Sequence, residues 1–216
     1  MKINLKKGQN LWFTSDLHLN HRNICMGESS WGEKESVRDF FSVRSMNDTI
    51  VGNINSVVAE NDWLFMLGDV AFGDIPEIVD SLSQIKCRNK VLVYGNHDFR
   101  LRGDMLATSI LFKRAEDKLL LTVTSEGLFS GKKRFVLSHM PFVTWDNIKT
   151  GRMHLFGHLH LPPNKKLMEG KSMDVGVDGN DLKPYSIMDV CELLEQRPVA
   201  ITRLNPDFDH HLKSDR

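Results

Sequence analysis

Lys90-Val91-Leu92-Val93-Tyr94-Gly95-Asn96-His97-Asp98 is the stretch on which the fold turns. A short apolar run, rich in β-branched residues, stops at a glycine, and three residues that can bind metal or move protons follow without a gap. A run of this kind bounded by glycine reads as a buried strand. The polar triplet then falls at the strand's carboxyl end, where open α/β sheets hold their ligands. Taken alone, Asn-His-Asp after a strand is equally a turn with a hydrogen-bonded histidine. The reading therefore depends on whether other strand ends carry matching groups.

They do. Residues 11–16 read as a first buried strand closing on Asp16, with His18 two positions further on. In an extended segment residues i and i+2 share a side, so Asp16 and His18 can reach one ion. Residues 63–67 form a second buried run, ending in Gly68-Asp69. Residues 134–137 close on Ser138-His139, and residues 153–156 on Gly157-His158-Leu159-His160. Residues 118–124 and 172–177 read as further strands. Between them, Met46, Ile50, Ile54, Val57 and Val58 recur at helical spacing, predicting an amphipathic helix over 45–59. Ser45 and Asp48 sit at its amino end, and Asn47 and Asn53 fall on its solvated side. A second helix is expected over 75–85, with Pro76 in its first turn, and a third over 186–195. Residues 99–112 read as loop and short helix. Alternating strands and helices imply an α/β core with parallel strands. No repeat, low-complexity tract or linker interrupts residues 1–216, so one domain is expected, with a polar, frayed tail after about residue 206.

The bulk numbers narrow the class. A chain of 216 residues, 41% hydrophobic and 26% charged, has the composition of a soluble globular domain with a sizeable core. Lys+Arg and Asp+Glu both count 28, so the net charge is zero. That argues against a broad nucleic-acid surface, though a local basic rim stays open. Cys25, Cys87 and Cys191 are far apart and form no CxxC pair, which disfavours a thiolate zinc site or a disulfide framework and suits a reducing, cytoplasmic setting. No stretch approaches membrane-spanning length and none reads as a signal peptide.

Nitrogen and oxygen donors without sulfur suit an imidazole–carboxylate site for manganese, iron, zinc or nickel. The donors outnumber the needs of one ion, whereas two ions sharing a carboxylate would use them, clamping both oxygens of an in-line displacement. In their order, Asp16-x-His18, Gly68-Asp69, Gly95-Asn96-His97-Asp98, His139 and Gly157-His158-x-His160 resemble the five motif blocks of the calcineurin-like metallophosphoesterase superfamily. Met173 to Asp178, with Pro184 downstream, is similar to a small bacterial and phage branch of it. The resemblance implies a four-layer αββα sandwich, two mixed sheets flanked by helices, with a dinuclear centre at the strand ends. It implies two divalent metal ions, manganese first, with iron, nickel, zinc or magnesium as alternatives. One ion would be held by Asp16, His18 and His160, the other by Asn96, His139 and His158, with Asp69 bridging. A bridging hydroxide would attack a phosphate ester, His97 would protonate the leaving group, and Asp98 would stand behind the His97 ring.

Other residues near the blocks carry two readings each. Arg22 is a phosphate-binding candidate or a surface arginine; His21 is a rim residue. His154 is structural or exposed, and Phe142 and Trp145 are a base-stacking wall or rim packing. Asp178 has no assignable role, and His210 and His211 read as solvated. The expected activity is hydrolysis of a small, nucleotide-like phosphodiester or phosphomonoester. The alternatives are a nuclease and a non-catalytic metal-binding interaction module on the same fold.

Overall fold

The computed structural model describes residues 1–27, 38–161 and 170–200. The chain opens with β1 (Lys2–Leu5), β2 (Leu11–Thr14), α1 (Arg22–Cys25) and α2 (Val43–Val57). Then come β3 (Trp63–Met66), α3 (Ile75–Ser83), β4 (Asn89–Val93), α4 (Phe99–Gly103), α5 (Met105–Leu111) and β5 (Arg114–Glu116). Next are β6 (Lys118–Ser125), β7 (Lys133–Ser138), β8 (Met153–Phe156) and β9 (Ser172–Asp174), and β10 (Tyr185–Ser186) runs directly into α6 (Ile187–Glu195). Two five-stranded mixed sheets result, ordered β10-β2-β3-β4-β5 and β1-β6-β7-β8-β9. In the first, β2, β3, β4 and β5 are parallel and β10 is antiparallel to β2. In the second, β7, β8 and β9 are parallel, and β6 is antiparallel to β7.

Period-two alternation explains the layers. In β4, Val91 and Val93 join the core between the sheets, while Leu92 faces the helices. Phe13 and Phe65 from one sheet meet Phe135 from the other in that inner core. The Phe13 ring lies 5.8 Å from Phe65 and 5.2 Å from Phe135. On the outer face of the first sheet, Leu64, Met66 and Leu92 pack with Met46, Ile50 and Ile54 of α2, Ile78 and Leu82 of α3, and Leu111 of α5. Val136, on the outer face of the second sheet, packs with Trp145 and Ile148.

Several local expectations change. α2 begins at Val43 because Ser42, not Ser45, caps it: the Ser42 hydroxyl accepts from Ser45 N at 3.1 Å. Asn47 is not solvated; its amide exchanges hydrogen bonds with Asn20, and Asn53 donates to the Leu182 carbonyl at 3.3 Å. The 99–112 region holds two short helices, and β1, β5 and β10 are strands that the pattern of residues had not marked. α3 ends at Ser83, opened by a reciprocal capping box of Asp74 and Glu77. The pair His210 and His211 lies outside the described residues. Cys25, Cys87 and Cys191 are buried free thiols. Among the described residues, no helix is long and apolar enough to cross a membrane.

Phe13 links the two sheets, so Phe13→Ala should cost about 3–5 kcal/mol in urea unfolding. Leu120→Ala, on a side chain 45% exposed, should change stability by no more than about 0.5 kcal/mol.

Candidate metal centre

The donors come from the carboxyl ends of five strands, three in one sheet and two in the other. Asp16 and His18 follow β2, Asp69 follows β3, and Asn96 and His97 follow β4. His139 follows β7, and His158 and His160 follow β8. The strand ladders continue past the strands as single bonds, Asp16 N to Gly68 O, His18 N to Asp69 O and Gly157 N to His139 O. Val177 N donates to Ser15 O, joining the exits of β2 and β9 and so the two sheets. Asp16 and His18 do not converge by being extended, as their spacing suggested. Both are left-handed, at φ 56 and 48, and Asp69, His158 and His160 are too. Gly68 and Gly95 permit the closest backbone approach: a Cβ on Gly68 would stand 2.6 Å from Gly95 Cα, and one on Gly95 2.5 Å from Asp69 N.

Each of the two aspartates divides its oxygens. Asp16 Oδ2 accepts from His158 N at 2.9 Å, leaving Oδ1 facing His160 Nε2 at 3.6 Å and His18 Nε2 at 3.8 Å. Asp69 Oδ1 accepts from His97 N at 2.9 Å. Its Oδ2 stands 3.4 Å from His139 Nε2, 3.7 Å from His18 Nε2 and 4.0 Å from His97 Nε2. Two groups of donors follow, Asp16, His18 and His160, and Asp69, His139 and His158, each within 4.8 Å of one another. Asp69 Oδ2 touches both. Asn96 Oδ1 lies 2.9 Å from His139 Nε2, at the second group's exposed side.

The fit to divalent ions can be tested on the atoms. Asp16 Oδ1 is buried with no hydrogen-bond donor among the described residues, an arrangement costly unless something cationic meets it. Donors about 2.1 Å from one ion stand roughly 3.0–3.4 Å apart, so the carboxylate–imidazole pairs of these groups, at 3.4–3.8 Å, need to close by only a few tenths. The donor chemistry fits a dinuclear centre.

Electrostatics say the same. Burial opposes ionisation of Asp16 and Asp69, but the imidazoles around them, His18 and His160 near Asp16 and His139 near Asp69, outweigh it, lowering both; Asp69 falls to about 2. Burial and the Asp16 charge push Asp174 up to about 7. Burial favours a neutral His139, yet its hydrogen bond to Asp69 and the charges of Asp16 and Asp69 prevail, raising it to about 9. At neutral pH a proton on His139 Nε2 thus occupies the place an ion would take, while Nδ1 donates to Leu67 O at 2.7 Å.

One expected role is corrected. Asp98 does not back the His97 ring: its oxygens accept from Asp69 N at 2.9 Å, Gly95 N at 2.7 Å and Val70 N at 3.0 Å. It clamps the exits of β3 and β4 together. The His97 side chain, 43% exposed, lies beside Phe72, ring centroids 5.0 Å apart. His21 is more than rim: its Nδ1 is 3.2 Å from His18 Nδ1, and its ring stacks on Phe72 at 4.0 Å. Arg22 is exposed on α1. His154 is structural, its Nδ1 donating to Val136 O and its Nε2 accepting from Phe142 N. Trp145 is buried packing, with Nε1 bonded to Arg152 O. Two residues with no assigned part in the site border it. Asp178 meets His160 Nδ1 at 2.6 Å, and Arg38 is paired with Asp178.

Two candidate metal-binding groups of imidazoles and carboxylates at the seam of a two-sheet sandwich fit a class, the metal-dependent phosphoesterases. The family model described as calcineurin-like phosphoesterase matches residues 10–174, and the chain belongs to that family. It is similar to the gene 66 protein of Mycobacterium phage L5, 27% identical over 191 residues, covering 78% of this chain and 86% of that protein. An uncharacterised protein of Methanocaldococcus jannaschii is 27% identical over 199 residues, covering 89% and 95%. Among solved structures, a protein of unknown function from Aquifex aeolicus shares the fold. It aligns with a TM-score of 0.56 at 22% identity, over 88% of this chain and all of that one.

Because an ion and a proton compete for His139 Nε2, ion affinity should fall about tenfold per pH unit as pH drops below about 9. Titration calorimetry at pH 7.5 in two buffers of different ionisation enthalpy should show release of about one proton per protein. Buffer-independent heats would refute the competition.

Proposed function

We propose that this protein is a dinuclear metal-dependent phosphohydrolase acting on small, nucleotide-like phosphodiesters or phosphomonoesters. The observation that carries the reading is the position of Asp69 Oδ2, which faces His18 of one donor group and His139 of the other, with His97 Nε2 at 4.0 Å. Divalent ions held there, manganese first, would acidify a water and offset the charge of the phosphate. The chain's own groups supply the rest. Asp16, His18 and His160 hold one side, and Asn96, His139 and His158 the other. As water oxygen bonds to phosphorus, the bond to the leaving oxygen breaks and His97 gives that oxygen a proton.

His97 is suited to this because its backbone N–H is tied to Asp69 Oδ1, so the proton donor keeps register with the shared carboxylate. Its ring is exposed enough to meet a substrate. Asn96 adds an oxygen donor without a further negative charge to repel phosphate. Arg22, next to His21, is the cation offered to phosphate oxygens. An open cleft of about 250 Å³ beside Asn96 and His139, walled by Tyr94, Met140 and Phe142, suits a small substituent on the phosphate. Residues 1–216 are read as one catalytic domain, in a cytoplasmic setting. The complete donor set and the exposed His97 favour an enzyme over a binding module.

Purified protein with Mn²⁺ should hydrolyse bis-p-nitrophenyl phosphate or p-nitrophenyl phosphate, and Asp69→Ala should reduce the rate at least about 10³-fold. Inertness of the metal-loaded protein on both probes would overturn the reading. For His97→Ala, the loss should be roughly 10²–10⁴-fold with an alkyl leaving group and much smaller with p-nitrophenolate. Equal losses would remove His97 from the role of acid.

A further inference from the structure

Arg38 and Asp178 are buried together beside the Asp16 donor group, with side chains 2% exposed. Asp178 lies beyond the span of residues 10–174 that the family model matches. Arg38 Nε donates to Asp178 Oδ1 at 2.7 Å and Nη2 to Oδ2 at 3.0 Å, a two-pronged pair. The same guanidinium also donates through Nη2 to Asp16 O at 2.6 Å and through Nη1 to Leu17 O at 2.7 Å. Asp178 Oδ2 then meets His160 Nδ1 at 2.6 Å.

A buried ion pair could serve packing alone. Its partners here argue for more. Among the described residues, every bond Arg38 makes to oxygen goes either to the carbonyls of Asp16 and Leu17 or to the carboxylate that holds His160. An Asp178 carboxylate gripped by two guanidinium donors can only accept, so His160 Nδ1 carries the proton. His160 Nε2, 3.6 Å from Asp16 Oδ1, is then the ring nitrogen that can serve as the donor in the Asp16 group. A carboxylate behind a ligating imidazole fixes its tautomer and orientation, and losing it typically weakens metal binding 10–100-fold.

We infer that Arg38 and Asp178 form a positioning pair that holds His160 in the Nδ1–H tautomer and the Asp16 turn in its left-handed form, thereby setting the affinity of the Asp16-side ion. The inference rests on the metal-dependent reading above. Asp178→Asn tests it. With its carbonyl kept on Arg38 Nε, the new amide would turn its N–H toward His160 Nδ1, favouring the Nε2–H tautomer that blocks the ion.

Two measurements are made on the full chain. Ring ¹H–¹⁵N correlation spectra of the metal-free protein report the His160 tautomer, and Mn²⁺ titration reports affinity and stoichiometry. Wild type should show Nδ1–H and take up two ions. Folded Asp178→Asn should shift toward Nε2–H and bind one of the two ions 10–100-fold more weakly, with the other within about twofold. An unchanged tautomer or two unchanged affinities in the folded variant overturns the inference. Should Asp178→Asn fail to fold, Arg38→Lys, which keeps the charge but loses the fork, is expected to weaken the same ion and is judged by the same readouts. A wild type that binds no divalent ion overturns both the metal-dependent reading and this role. Two ions bound by wild type with unchanged variants leaves that reading standing and removes the inference alone.

Discussion

Left-handed backbone at the ends of the strands is the constraint on which the rest depends. Asp16, His18, Asp69, His158 and His160 all have positive φ, a conformation that costs a non-glycine residue about 1–3 kcal/mol and persists only where neighbours over-determine it. The neighbours are identifiable. Asp98 takes three amides and ties the exit of β3 to that of β4. Arg38 grips the carbonyls of Asp16 and Leu17. Amides of His158 and His97 hold one oxygen each of Asp16 and Asp69. Each turn swings a side chain into the seam between the sheets, where a straight strand would carry it past.

Holding one oxygen of each aspartate by a backbone N–H also settles where the other points. Much of the entropy of ordering these side chains is met on folding, before any ion arrives. What remains is a charge problem: two ionised carboxylates are buried among imidazoles, and the His139 proton balances only part of it. A third buried carboxyl, Asp174, relieves the crowding by favouring its neutral form.

The legible parts of the sequence were those that local chemistry marks. Fully buried runs such as 64–66 and 91–93 announce strands, and a donor just past each run announces the site. β1, β5 and β10 are hard to read because all three are sheet edges and short, with charged or polar residues in place of apolar runs. The Asp16-x-His18 pair was found for a partly mistaken reason, since its convergence comes from left-handed turns and not from strand alternation. Asp98 was placed at the right site with the wrong partner: sequence adjacency to His97 suggested a side-chain contact, but its bonds go to backbone amides. Arg38 carried no signal at all. Its partners are 22 and 140 residues away, and nothing in its own neighbourhood distinguishes it from a surface arginine.

The link between the exits of β2 and β9, where Val177 donates to Ser15, has a consequence for biosynthesis. Strands β2, β3 and β4 can assemble soon after they leave the ribosome, presenting Asp16, His18 and Asp69. His160 and the segment that steadies it arrive on the order of ten seconds later at ordinary synthesis rates. During that interval Asp16 and His18 lack His160, the third member of their donor group. The Asp16 donor group is therefore complete only in the finished polypeptide, and a nascent chain stalled before residue 160 would lack one of its three donors in an otherwise recognisable sheet.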